Sequence, residues 1–168
     1  MELVYRTMPS PVGMLTLVAS GVGLVAVLWP DDDPLRVRLP TMTVAAGVHP
    51  VLRDAAAQLA AYFNGDRTGF DVPVDLRGTE FQRAVWDALR TIPYGETRSY
   101  AAIARQIDRP EASRAVGAAN GRNPVSIIVP CHRVVGSGGA LTGFAGGMAA
   151  KARLLRLEQG RRDLFDME

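Results

Sequence analysis

The chain has very little of what builds disulfides and metal sites: one cysteine, Cys131, and two histidines, His49 and His132, in 168 residues. A single cysteine cannot form an internal disulfide, and so few nitrogen and sulfur ligands argue against a zinc site. No apolar run approaches the ~20 residues needed to cross a bilayer, and the N-terminus lacks the basic-then-apolar layout of a secretory signal. The expectation is a cytosolic protein with a reduced thiol. Lysine is nearly absent, one against 18 arginines, which reads as compositional bias. Strong net charge is missing too: the sum is +2, with 21% charged and 48% hydrophobic residues, ordinary for a folded soluble protein. The length allows one domain or two small ones.

The small net charge hides an asymmetry. Residues 1–78 carry 6 basic against 8 acidic residues, −2, whereas residues 79–162 carry 13 against 6, +7. A locally basic half fits a polyanion partner or a solvated face. That half also holds Cys131.

Pro130-Cys131-His132-Arg133 is where chemistry concentrates. Ile127-Ile128-Val129 before it reads as a short buried strand delivering the thiol onto a proline-stiffened bend. A thiol is strongly nucleophilic only as thiolate, so it needs a nearby base, cation or helix N-terminus. Adjacent strand side chains diverge, so His132 serves Cys131 only across a bend or through a water. A lone cysteine can also be a small buried hydrophobe. Asn123-Pro124 before the run and Gly136, Gly138, Gly139, Gly143, Gly146 and Gly147 after it are the composition of a loop that approaches a ligand or turns tightly.

Along the chain, Leu3–Met8, Met14–Ala19 and Gly23–Trp29 read as an antiparallel β-meander. Asp31-Asp32-Asp33 reads as a solvated loop. A helix opens at His49-Pro50, with Leu52, Ala55, Ala56, Leu59, Tyr62 and Phe63 on one face, and ends at Asn64-Gly65; His49 is a helix-start residue. Residues 64–78 form a linker with an edge strand near Phe70–Val74, and the domain boundary falls near Gly78. Thr79 and Gln82 form a capping box for a helix whose stripe is Phe81, Val85, Ala88, Leu89 and Ile92. Ser99 caps a second helix, Tyr100–Ile107. Asp108-Arg109-Pro110 breaks it, and a third runs from Glu111 to about Asn120, making a helix-turn-helix.

The third helix has Ala112, Ala115, Val116 and Ala119 as its inward stripe. Arg114, Gly117, Ala118 and Gly121 lie elsewhere. Mid-helix glycine costs about 1 kcal/mol relative to alanine, so Gly117 implies close approach by a neighbouring helix or a nucleic-acid backbone. A last helix, Met148–Gln159, places Glu158 at the edge of its apolar stripe beside Lys151, Leu154 and Leu155. Its carboxylate pairs either with exposed Arg161 or Arg162, or with His132, whose tautomer it would then fix.

Together, Arg114-Ala115-Val116-Gly117-Ala118-Ala119-Asn120, Asn123-Pro124, Pro130–Val135 and Gly143-Phe144-Ala145-Gly146-Gly147, with Tyr94-Gly95-Glu96-Thr97 and Ser99-Tyr100, closely resemble the O6-alkylguanine-DNA alkyltransferases, also called methylated-DNA:protein-cysteine methyltransferases. The resemblance is dense over residues 79–160 and looser before them. It implies an α/β N-terminal domain over residues 1–78, a small antiparallel sheet with a covering helix of ribonuclease H-like type. A mostly α, winged helix-turn-helix domain over residues 79–168 would follow.

The implied reaction is direct repair: the alkyl group of O6-alkylguanine, and of O4-alkylthymine, passes once and irreversibly to Cys131, without cofactor or metal. By similarity His132 is the base through a bridging water, Glu158 stands behind it, Asn123 holds the turn, and Tyr100 serves the departing guanine. Val134, Val135, Ser137, Gly139, Phe144 and Ser99 would line the base pocket, Phe144 standing where relatives commonly carry tyrosine. Arg114 would fill the stack vacated by the flipped base, while Ala115, Gly117, Ala118, Gly121 and Arg122 would face the minor groove of duplex DNA, bound with little sequence specificity. The resemblance further implies a monomer when free, with cooperativity on DNA left open.

The sequence lacks the extra N-terminal cysteines of fused regulatory sensors, lacks the cysteine ligands of the family's N-terminal zinc site, and keeps cysteine where alkyltransferase-like proteins carry tryptophan. Two other classes stay in view: a DNA-binding module with a structural Cys131, and a Cys-His-Glu hydrolase turning over many substrates without DNA.

Overall fold

Val- and Leu-rich segments with short Gly/Pro punctuation form the N-terminal strands, as β-branched and aliphatic residues favour. In the computed structural model, which describes residues 3–39 and 44–160, β1 is Leu3–Met8, β2 Leu15–Ala19 and β3 Leu24–Leu28. These strands form the expected antiparallel meander, with an irregularity at Val18/Ala19. A further strand, β4 (Val44–Ala46), pairs parallel to β1, so the sheet is mixed, in the order β3-β2-β1-β4. Three residues of Val-Ala-Ala carry too little periodicity to announce a strand. The edge strand expected near Phe70–Val74 is a single bridge, Val74 to Leu24.

Helix α1 (Pro50–Phe63) packs on β2 through Leu52, Ala55, Ala56, Leu59 and Tyr62, all buried. His49 is its N-cap, Nδ1 accepting from Val51 N at 3.1 Å. At the other end Gly65 takes φ +82, with Asp66 N bonded to Ala61 O and Gly65 N to Tyr62 O, a turn that satisfies the last carbonyls. The Asp31–Asp33 turn is less solvated than expected: Asp32 accepts from Trp29 N and pairs with Arg36.

By compactness the chain divides into residues 1–77 with 124–128, and residues 78–123 with 129–168. The single boundary expected near Gly78 thus omits a short return of the chain to the first unit. There Pro124 O accepts from Val27 N at 2.9 Å, Val125 bridges Val27, and Ser126 Oγ accepts from Trp29 Nε1 at 3.1 Å.

In the second unit, α2 (Glu80–Leu89) carries the expected Thr79/Gln82 capping box. β5 (Arg98–Ser99) leads into α3 (Tyr100–Gln106), capped by the Ser99 hydroxyl on Ala102 N. Asp108, at φ +62, then closes a turn in which Arg109 N reaches Ala104 O and Asp108 N reaches Arg105 O. Helix α4 (Ser113–Gly121) starts two residues later than expected, because residues 109–112 form their own turn, Ala112 N to Arg109 O. Trp86 ties α2 to α4 through its indole N–H on Ala119 O at 2.8 Å. β6 (Val134–Val135) pairs parallel to β5, and α5 (Met148–Glu158) closes the unit. Among the described residues no helix is long and apolar enough to cross a membrane.

Candidate active site and nucleic-acid face

The strand expected at Ile127–Val129 is absent. Ile127 and Ile128 form a turn, closed by Ile128 N on Ser126 O at 2.8 Å, with Ile127 fully buried at φ +74. A β-branched residue there is a strained outlier, costing about 1–3 kcal/mol. A second three-residue turn follows at once: Pro130 (φ −82, ψ 66) lets Cys131 N bond Val129 O at 2.8 Å. That carbonyl also accepts Asn123 Nδ2 at 2.8 Å, so Asn123 holds the turn that presents the cysteine. Cys131–Arg133 then forms one turn of 3-10 helix. The bend that the adjacent Cys131 and His132 require is therefore built into the backbone.

Cys131 is 4% exposed and His132 is fully buried. His132 Nε2 lies 2.6 Å from Glu158 Oε2. Glu158 also accepts from Arg133, Nε to Oε1 at 2.7 Å and Nη2 to Oε2 at 3.0 Å. The Arg133 guanidinium in turn donates to Ile92 O at 2.7 Å and lies over the Tyr94 ring. Of the two partners left open for Glu158 by its sequence position, His132 is the observed one, while Arg161 and Arg162 lie outside the described residues.

Burial disfavours the Glu158 anion, but the bonds and charges of His132 and Arg133 outweigh it and hold the carboxyl at about 2. Burial, reinforced by the charges of Arg133 and Lys151, pushes His132 below its ordinary value despite the Glu158 bond. At neutral pH the ring is therefore neutral beside an ionised carboxylate that can only accept, so the proton sits on Nε2. Nδ1 keeps a bare lone pair, and this buried atom has no hydrogen-bond partner among the described residues.

Val134 and Val135 are buried in β6. Ser137 and Gly139 are exposed in a 3-10 turn, and Phe144, Ser99 and Tyr100 are half-buried. Three contributors escaped the sequence reading. Arg133 anchors Glu158. Lys151, fully buried, donates to Val134 O at 2.7 Å. Thr142 bonds the Tyr100 hydroxyl and receives Lys151 Nζ at 3.3 Å. The available signal was Lys151 itself, the single lysine of an arginine-rich chain, set on the apolar stripe of its helix.

On α4, Arg114, Ala115, Ala118, Gly121 and Arg122 are exposed and Gly117 is half-buried. Ala115, assigned to the inward stripe, lies outside it; Val116, Ala119 and Asn120 are the buried residues, and Asn120 donates to Cys131 O at 3.4 Å. A methyl group at Gly117 would rest 3.7 Å from the Tyr100 ring, and one at Gly121 would touch nothing. Internal packing thus demands glycine at neither position. Among the described residues no three His, Cys, Asp or Glu cluster as metal ligands.

Comparison with known proteins agrees over both units. The ribonuclease-like domain model of 6-O-methylguanine DNA methyltransferase matches residues 3–76, and its DNA binding domain model matches residues 80–160. The chain is 52% identical over 160 residues to a methylated-DNA--protein-cysteine methyltransferase of Mycobacterium tuberculosis, covering 94% of this chain and 93% of that one. A protein of the same description from Methanosarcina acetivorans is 47% identical over 154 residues, covering 92% and 97%. A crystal structure of Mycobacterium tuberculosis OGT in complex with DNA superposes with TM-score 0.85 at 50% identity, covering 94% of each chain. The chain therefore belongs to the 6-O-methylguanine DNA methyltransferase family.

Proposed function

We propose that this protein repairs DNA by taking the alkyl group of O6-alkylguanine onto Cys131, once per molecule. The observation that carries the reading is the buried His132–Glu158–Arg133 network beside the only thiol, with His132 Nδ1 left as a bare base. His132 accepts the thiol proton through a water. The Cys131 sulfur attacks the saturated carbon, and the C–O6 bond breaks with its electron pair going to the guanine. Tyr100 supplies a proton to the departing base, which would otherwise leave as an anion. The product thioether has no good leaving group, so the protein is consumed.

The target atom is unreachable inside stacked duplex, so the base is flipped out at a cost of a few kcal/mol. Exposed Arg114 enters the stack. The small α4 face of Ala115, Gly117, Ala118 and Gly121 supports close approach to the minor groove, where sequence readout is weak and binding is salt-sensitive. Arg122 contacts phosphate, and Val134, Val135, Ser137, Gly139, Phe144 and Ser99 line the pocket for the flipped base. The test is intact-protein mass after incubation with a duplex carrying one O6-methylguanine, beside Cys131→Ser and an unmodified duplex. A gain of one methylene, saturating at one per protein and absent from both controls, is expected. Unchanged mass with a titratable thiol and bound duplex would overturn the reading in favour of a lesion-binding module.

A further inference from the structure

We propose that Thr142 is a positioning residue for the Tyr100 hydroxyl, connecting it to the buried Lys151 ammonium through a hydrogen-bond chain with one direction. The assignment rests on the alkyl-transfer reading above. Lys151 has only donors to offer, and its Nζ meets Val134 O at 2.7 Å, Thr142 Oγ1 at 3.3 Å and Thr142 O at 3.4 Å. Thr142 Oγ1 is therefore the acceptor toward Lys151. Its own proton has one acceptor among the described residues, the Tyr100 hydroxyl oxygen, with which it shares a hydrogen bond. With the phenol oxygen receiving that proton, the phenolic proton is left to point at a ligand. Tyr100 donating into Thr142 instead would consume it.

Packing holds the threonine in this role. A Cβ on Gly136 would come within 3.2 Å of Thr142 Cγ2, so the methyl rests against that backbone while the hydroxyl turns to Lys151 and Tyr100. As the C–O6 bond breaks, the Tyr100 proton passes to the base, the Thr142 proton to the tyrosinate oxygen and one Lys151 proton to the threonine oxygen. The chain ends with a neutral amine and no buried phenolate. Burial eases that step by pushing the Lys151 ammonium below its ordinary value, although the nearby Cys131 charge pulls the other way.

The experiment is single-turnover methyl transfer from an O6-methylguanine duplex, with protein in excess and varied to separate the limiting rate constant from half-saturation. Thr142→Val keeps shape and removes the hydroxyl, whereas Thr142→Ser keeps the hydroxyl. The expected result is a limiting rate lowered at least about tenfold in Thr142→Val, with half-saturation shifted less than about threefold, and recovery in Thr142→Ser. Thr142→Val should add nothing further in a Tyr100→Phe background, because both changes break one chain. Full additivity in the double variant, an unchanged rate in Thr142→Val, or failure of serine to restore the rate would each overturn the assignment while leaving alkyl transfer intact. Absence of transfer by the unaltered chain would overturn the alkyl-transfer reading and this assignment with it.

Discussion

Glu158→Gln is the perturbation on which the structure speaks most directly. The carboxylate accepts three bonds, from His132 Nε2 and from Arg133 Nε and Nη2. A glutamine of the same shape keeps one acceptor oxygen and adds an N–H₂. If the oxygen faces Arg133, the amide N–H faces His132 Nε2, and the imidazole proton must move to Nδ1, removing the base. If the amide is reversed, its N–H opposes the guanidinium, donor against donor. Either arrangement leaves the Arg133 charge buried without its counter-ion, which costs about 3–5 kcal/mol against a typical domain stability of about 5–15 kcal/mol. The expected outcome is a protein folded at low temperature with a clearly lowered unfolding transition, followed by circular dichroism. Its single-turnover transfer rate at neutral pH should fall about 10²–10⁴-fold, the usual worth of a positioned base. A folded Glu158→Gln protein that transfers methyl within about threefold of the unaltered rate would refute the assignment of tautomer and base.

The same carboxyl sets an acid limit. Its value of about 2 lies below the 4.5 of a free glutamate, so the folded state binds its proton less readily than the unfolded one; the resulting stability, up to about 3 kcal/mol, is complete above pH 4.5 and drains as pH falls toward 2. Urea unfolding across that range should show the slope in the unaltered chain and a shallower one in Glu158→Gln, where the depressed carboxyl of Asp75 still contributes. Gly117→Ala should stabilise the free protein by about 0.5–1 kcal/mol, since its methyl only reaches van der Waals distance of Tyr100, while weakening duplex binding; unchanged binding would remove the close-approach argument. Arg114→Ala, at an exposed position, should leave the unfolding midpoint within about 0.5 kcal/mol, slow transfer from duplex DNA and spare transfer from the free alkylated base, which needs no flipping. Equal losses on both substrates would show that Arg114 does not serve base extrusion. Asp108→Gly should raise stability by up to about 1 kcal/mol, because glycine takes the positive φ of that turn without a Cβ clash; a lowered midpoint would mean the aspartate side chain holds the turn.

Where periodicity and capping chemistry operate locally, the fold was legible. Thr79 and Gln82 announce the start of their helix by satisfying amides within one turn, and Asn64-Gly65 ends another because glycine tolerates the left-handed region. β4 was not legible, since its pairing with β1 is a long-range event that three small residues do not signal. The run Ile127-Ile128-Val129 resembles a strand for a related reason: burial selects apolar residues for a tight turn as readily as for a strand. Ile127 is fully buried and yet at positive φ, a combination for which no local sequence preference exists. Ile127 lies two residues before the chain passes from the first unit, which takes residues 124–128, to the second, which takes Val129 onward.

The site was half legible, and the division follows its electrostatics. Glu158 falls at the edge of an apolar stripe with Lys151, Leu154 and Leu155, and a carboxylate there needs a partner. That much follows from spacing, whereas the full burial of Lys151 is a finding of the structure. Which partners they take depends on two consecutive three-residue turns that bring His132 and Arg133 to Glu158, and on a glycine-rich loop that brings the Thr142 hydroxyl to Lys151. The two ionised side chains then do opposite things to their neighbours. Glu158 can only accept, which drives the His132 proton to Nε2 and bares Nδ1; Lys151 can only donate, which drives the Thr142 proton toward Tyr100 and frees the phenol. In the proposed transfer His132 Nδ1 takes the thiol proton through a water and the Tyr100 hydroxyl returns a proton to the base that leaves, the two polarities that a displacement at carbon needs.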